Sequence, residues 1–144
     1  SHEYQNVFVS KGDQFILYQY EMISLAFDLD LGERLLVTAP IPENWFGQWH
    51  VIAAVYDGQS AKLYIDGTLA AEKAARGKMR PYPCSVFAGR NPVSENACRG
   101  HIRRVGLFDH ALKEDQLLCA ADTPWAARIA LISEANRNLP PATV

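Results

Sequence analysis

Cysteine is scarce in this chain, with Cys84, Cys98 and Cys119 the three examples in 144 residues. An odd count with no zinc-like spacing argues against a disulfide framework or a cysteine-based metal site. Cys84 and Cys98 flank the run around Phe87 and can be paired in an oxidising compartment. The plainer alternative is three half-buried thiols acting as small apolar side chains. Long apolar runs are missing too. None approaches the roughly 20 residues that a membrane-spanning helix needs. Charge of one sign is also lacking: 14 Lys and Arg face 16 Asp and Glu, for a net charge of −2. Bulk electrostatics therefore direct the chain to neither nucleic acid nor a membrane. There is no internal repeat and no low-complexity tract. The polar start, Ser1-His2-Glu3-Tyr4, carries no secretory signal. Ser1-His2 is compatible with a cloning remnant, and the chain is expected to be a piece of a longer one.

What is present is a globular composition, 49% apolar and 21% charged, in a length that suits one domain. The organising stretch runs from Gln48 to Glu72. Asp57-Gly58 and Asp66-Gly67 interrupt apolar alternation, and Asp-Gly between such runs is a strong hairpin signal. Three strands are predicted there, Trp49 to Tyr56, Ala61 to Ile65 and Thr68 to Ala71. Such a meander must bury its apolar face against another layer.

The rest of the chain supplies that layer. Asn6 to Ser10, Phe15 to Tyr20, Ile23 to Asp28 and Arg34 to Thr38 read as strands. The run from Leu29 to Glu33 reads as a turn, and Ala39 to Asn44, with Pro40 and Pro42, as a loop. Lys73 to Pro83 reads as a basic loop, Ser85 to Arg90 and His101 to Phe108 as further strands. Many short strands at this spacing predict a sandwich or barrel. Lys113 to Ala121 predicts a short helix. Thr123 as N-cap and Pro124 at the first turn predict a second helix over Trp125 to Asn136. The expected organisation is a sandwich over 1–121 and a helical tail or linker over 122–144.

Three motifs carry a resemblance: Trp49-His50-Val51 through Gly58 followed by Lys62-Leu63-Tyr64-Ile65-Asp66-Gly67; Phe87 to Asn91; and Gly100 to Leu112. In this order they resemble laminin-G-like, concanavalin A-like lectin and glucanase sandwich domains of the kind appended to bacterial glycoside hydrolases. Arg103 and Arg104 stand where that pattern usually has an acidic pair. The resemblance implies an all-β, two-sheet antiparallel β-sandwich with one or two short C-terminal helices. It also implies strands upstream of those seen here, and a structural role for His50.

Function is less legible. Asp28-Leu29-Asp30 with Glu33 resembles the carboxylate run of laminarinase-type glycosidases. Gly32 shifts Glu33 out of the alternation that would put nucleophile and acid on one face, so no catalytic residue is expected. His101 and His110 have no nucleophile in their sequence context. The resemblance allows one calcium ion at the sandwich rim, with Asp28 and Asp30 the candidate ligands and Asp13, Asp57 and Asp109 weaker ones. No loop holds the clustered acids of a dedicated calcium site, and no other cofactor is expected.

Basic residues concentrate between Arg76 and Arg104, seven against the single acid Glu95. Guanidinium forks suit sulfate or uronate groups, which makes Arg80, Arg90 and Arg104 candidates for an acidic glycan. The alternative is a solvated face. Aromatic stacking on neutral sugars is the other route, with Trp45, beside Phe46, and Tyr82 as candidates. The leading expectation is a non-catalytic carbohydrate-recognition module of a larger secreted or periplasmic carbohydrate-active enzyme, contacting other domains of its parent chain. A module bracing a neighbouring domain comes second, and a catalytic sandwich glycosidase third. Fold alone does not choose among them.

Overall fold

The computed structural model describes residues 5–94 and 96–117. Eight strands run through them: β1 (Gln5–Ser10), β2 (Phe15–Tyr20), β3 (Ser24–Asp30), β4 (Arg34–Pro40), β5 (Ile52–Tyr56), β6 (Ser60–Ile65), β7 (Thr68–Ala74) and β8 (Phe87–Ala88). They form two antiparallel sheets, one ordered β4-β3-β2-β1-β8 and the other β5-β6-β7. The expected two-layer sandwich is present, with one short helical turn at 114–117.

Alternation places the core. β4 alternates strictly between exposed and buried positions, so Leu35, Val37 and Ala39 point inward. They meet Leu25, Phe27 and Leu29 of β3, Leu17 of β2, and Ala61 and Leu63 of the facing sheet. The outer face of the larger sheet is buried in part as well, around Val7, Ile16, Tyr18 and Ala26. β2 and β3 are thus covered on both faces, which is why their sequences are apolar with little alternation. A bulge between Val7 and Val9 shifts the β1–β2 register, and Phe8 packs against the core.

Several boundaries differ from the sequence reading. β3 continues through Asp30, because its ladder with β4 extends to the Asp30–Arg34 pair. β4 continues through Ala39 to Pro40, which pairs with Ser24; the strand lies at the sheet edge, where a missing N–H is tolerated. β7 extends to Ala74, while β5 begins only at Ile52, leaving Trp49 to Val51 in the preceding loop. The strand around Phe87 shrinks to two residues.

The largest departure is His101 to Phe108, which forms no strand. Its apolar positions change parity midway, from Ile102 to Val105 and Leu107, so no single sheet face takes them all. Arg103 and Arg104 therefore do not alternate across a sheet. The predicted helix from Lys113 shows its turn at 114–117. Its remainder and the tail over 122–144 lie outside the described residues.

The two ends of the sandwich have different chemistry. One gathers the β1–β2, β3–β4 and β5–β6 turns beneath the chain from Ala75 to Cys84, tied by Arg80 N–H to the Asp30 carbonyl at 2.8 Å and Ala75 N–H to the Gln59 carbonyl at 2.9 Å. The other gathers the β2–β3 turn, the loop 41–51 and the β6–β7 turn.

Candidate functional site

The second end is held by a compact set of polar and aromatic contacts. Ile41 N–H donates to the Ile23 carbonyl at 3.1 Å, fixing the start of loop 41–51 against the β2–β3 turn. Trp45 N–H donates to the Pro42 carbonyl, and its indole Nε1–H donates to Gln19 Oε1, both at 3.1 Å. The Trp45 ring meets Phe8 edge-on at 6.5 Å and stacks on His50 at 4.8 Å, with 13° between the planes. His50 in turn reaches Asp66 Oδ2 through Nδ1 at 2.8 Å and the Asn44 carbonyl through Nε2 at 3.2 Å.

Asp66 occupies the first corner of the β6–β7 turn at φ 51°, followed by Gly67 at φ 81°. A positive φ is tolerated by Asp better than by most residues with a Cβ. Its second carboxylate oxygen accepts the Val51 N–H at 2.9 Å, while its own N–H donates to the Val51 carbonyl at 2.7 Å. One turn residue therefore clamps the end of the loop that β5 continues. Asp57 differs, spending its Oδ1 on the amides of Gln59 and Ser60 within its own turn. Those backbone donors, with Lys62 adding its charge, hold its carboxyl below the usual range against a small opposing effect of burial.

Burial opposes a charge on His50, whose side chain is only 6% exposed. The Asp66 carboxylate and the Asn44 and Trp45 backbone groups outweigh that effect and raise its pKa above the ordinary histidine value. The result is a rigid base under a loop whose other rings face solvent. Phe46 is 59% exposed and Trp49 64%. Tyr20, Met22, Ile23 and Leu69, at the same end, also expose apolar surface.

The sequence candidates separate in space. Trp45 is packed into the support, and the outward-facing rings are its neighbours Phe46 and Trp49. Tyr82 lies at the opposite end, its ring against Gly12, with the Cys84 sulfur nearby. Arg80 shares that end and packs its guanidinium over Gly32. A cleft there is lined by Leu31 to Leu35, Ala75 and Arg76. Arg90 instead follows β8 and lies over the Phe87 ring at 5.2 Å, while Arg104 belongs to the irregular segment 101–108.

Asp28 and Asp30 are both engaged. Asp28 Oδ2 pairs with Arg34 Nη2 at 2.8 Å, and Asp30 Oδ1 accepts the Gly32 N–H at 2.9 Å. Asp28 Oδ1 is buried without a hydrogen-bond partner, as is Gln14 Oε1. Among the described residues no three His, Cys, Asp or Glu side chains come together in a metal-binding arrangement. Cys84 and Cys98 are free thiols rather than a pair: Cys84 lies by Gly12, Cys98 by Gly89 and Gly100. Burial raises the Cys98 pKa. Cys119 lies outside the described residues.

Trp49 reads from the sequence as the first residue of a strand, whereas the structure sets it in the preceding loop with its ring exposed. The available signal was Trp45-Phe46-Gly47-Gln48-Trp49, three large rings in five residues just after two prolines, more than so short a connection can bury.

These features define a two-sheet sandwich of the lectin and glucanase class. A laminin-G family model of the concanavalin A-like lectin/glucanases superfamily matches residues 1–118, and the chain belongs to that family. No curated protein matches the chain in sequence. A similar solved structure is that of an S-layer domain-containing protein from Clostridium thermocellum, 17% identical with a TM-score of 0.44. The match covers 83% of this chain and 64% of that one, so this chain spans less than two thirds of its length.

Proposed function

We propose that this chain is a non-catalytic carbohydrate-recognition module of a larger secreted or periplasmic carbohydrate-active protein, and that it binds sugar through loop 41–51. The observation carrying this reading is the exposure of Phe46 and Trp49 on a loop whose base is fixed by Trp45, His50 and Asp66. Apolar rings displayed on a pre-ordered loop lose little conformational entropy on binding and offer flat faces to the C–H side of a pyranose. The family's lectin-like fold is consistent with this role without fixing it. Asp28 and Asp30, the carboxylates that resemble a glycosidase run, serve an ion pair and a turn.

A screen against neutral and acidic glycans, run with calcium and again with chelator, tests the reading. Binding to neutral glycans that is lost in Trp49→Ala supports it. Salt-sensitive binding to sulfated or uronic glycans, lost in Arg80→Ala, moves the site to the opposite end. Loss of binding with chelator assigns calcium a part.

A second reading, a module bracing a neighbouring domain, draws on Met22 and Ile23, which are 64% and 63% exposed at the same end. Aliphatic side chains suit a protein surface better than a sugar. Failure to bind any glycan, together with capture of a neighbouring parent domain that is lost in Met22→Ser/Ile23→Ser, favours it.

A further inference from the structure

The contacts around His50 carry a consequence for the loop above it. Its Nδ1 faces a carboxylate oxygen of Asp66 at 2.8 Å and its Nε2 the backbone carbonyl of Asn44 at 3.2 Å. An ionised carboxylate and a carbonyl only accept hydrogen bonds, and a neutral imidazole carries one N–H. Only the imidazolium satisfies both partners. The geometry points to His50 as the positioning residue of the recognition loop, which in its protonated form ties Asn44 to the β6–β7 turn and so sets the order of the segment bearing Phe46 and Trp49.

Deprotonation breaks one of the two bonds. The shorter contact, to the carboxylate, is the stronger, so the neutral ring keeps its proton on Nδ1 and releases the Asn44 carbonyl. Asn44 immediately precedes the Trp45-Phe46 pair, so the slack appears on the binding side of the loop. The stack with Trp45 also weakens, since an indole face attracts a cation more than a neutral ring. Among the described residues the charge acting on the imidazole is that of Asp66; the loop adds the Asn44 and Trp45 backbone and the Trp45 ring, which do not titrate. The consequence for ligand rests on the recognition reading, whereas the consequence for loop order does not.

The decisive experiment uses the unliganded protein. The His50 ring is titrated by NMR while amide-exchange protection of residues 44–50, corrected for intrinsic rates, is followed across the same pH range. Protection is expected to fall roughly five-fold as His50 loses its proton, the weight of one net hydrogen bond. In Asp66→Asn the side-chain oxygen still accepts the Val51 amide and the side-chain NH2 faces His50 Nδ1 as a donor. The neutral ring then carries its proton on Nε2 and keeps the Asn44 bond, so the His50 midpoint should fall and loop protection should no longer follow it. Protection that stays flat in the parent while His50 titrates overturns the inference, as does a loop transition that Asp66→Asn leaves in place. Binding of laminarin, a soluble neutral β-glucan, is measured over the same range. Affinity that falls with the His50 titration supports the extension to ligand, and affinity that stays flat overturns it. Absence of binding at every pH counts against the carbohydrate reading, while the exchange data still decide the role of His50.

Discussion

The rings of Trp45 and His50 stack at 4.8 Å, nearly parallel, and this contact separates the tryptophan that builds the loop from the one that faces solvent. Replacing each in turn should give opposite phenotypes. Trp45→Ala loses the stack, the Phe8 contact and the bond to Gln19, and is expected to cost about 2–4 kcal/mol of stability. Trp49→Ala should stay within about 0.5 kcal/mol of the parent. Urea unfolding of the two variants checks this pair.

Stability should fall toward alkaline pH through His50. Its folded-state pKa is raised, so the folded protein holds the proton more tightly than the unfolded chain. The resulting stabilisation is complete below the ordinary histidine value and is lost as pH rises through the raised one. Thermal midpoints measured between about pH 6 and 9 should decline in the parent and decline less in His50→Asn.

At the opposite end, Gly12 has a φ of 51°, and a Cβ there would lie 2.4 Å from the Tyr82 ring. Gly12→Ala must displace that ring from the β1–β2 turn as well as strain the backbone, with an expected cost of about 1–3 kcal/mol. Tyr82→Ala in the same background should recover part of the loss, a non-additivity read by a double-mutant cycle.

These positions show what the sequence could convey. Periodicity and Asp-Gly turns predict a sandwich or barrel, because alternation in β4 and the β5–β6–β7 meander is a local signal, and the motif resemblance narrows this to two sheets. The absence of a strand at His101 to Phe108 is harder to read from the sequence, since the run is rich in apolar residues and their parity changes only at Val105. Site geometry was the least legible. Asp66 looks like an ordinary turn residue, and its bonds to His50 and Val51 join positions 16 and 15 residues apart. Trp45 and Trp49 are equally aromatic on paper; burial against Phe8 and Gln19 tells them apart.

Arg34 reaches both the Asp28 carboxylate at 2.8 Å and the Asp13 carbonyl at 2.5 Å, bracing the β3–β4 hairpin against the β1–β2 turn. Asp28 is 20% exposed, and with its Oδ1 buried without a hydrogen-bond partner the carboxylate depends on the contact that Oδ2 makes to that guanidinium. Arg34→Ala is expected to destabilise by about 1–2 kcal/mol, and the double variant with Asp28→Ala by less than the sum of the single ones. Denaturant midpoints for the four proteins provide the test.

The central claim is that sugar meets the loop bearing Phe46 and Trp49. Its most direct test is an amide and indole NMR titration with a neutral oligosaccharide drawn from the glycan screen. The account predicts that the Trp49 indole N–H and the amides of residues 44–50 shift with saturating dose, while those of Arg76 to Tyr82 stay in place. Shifts confined to Arg76 to Tyr82, or none at either end, would contradict it.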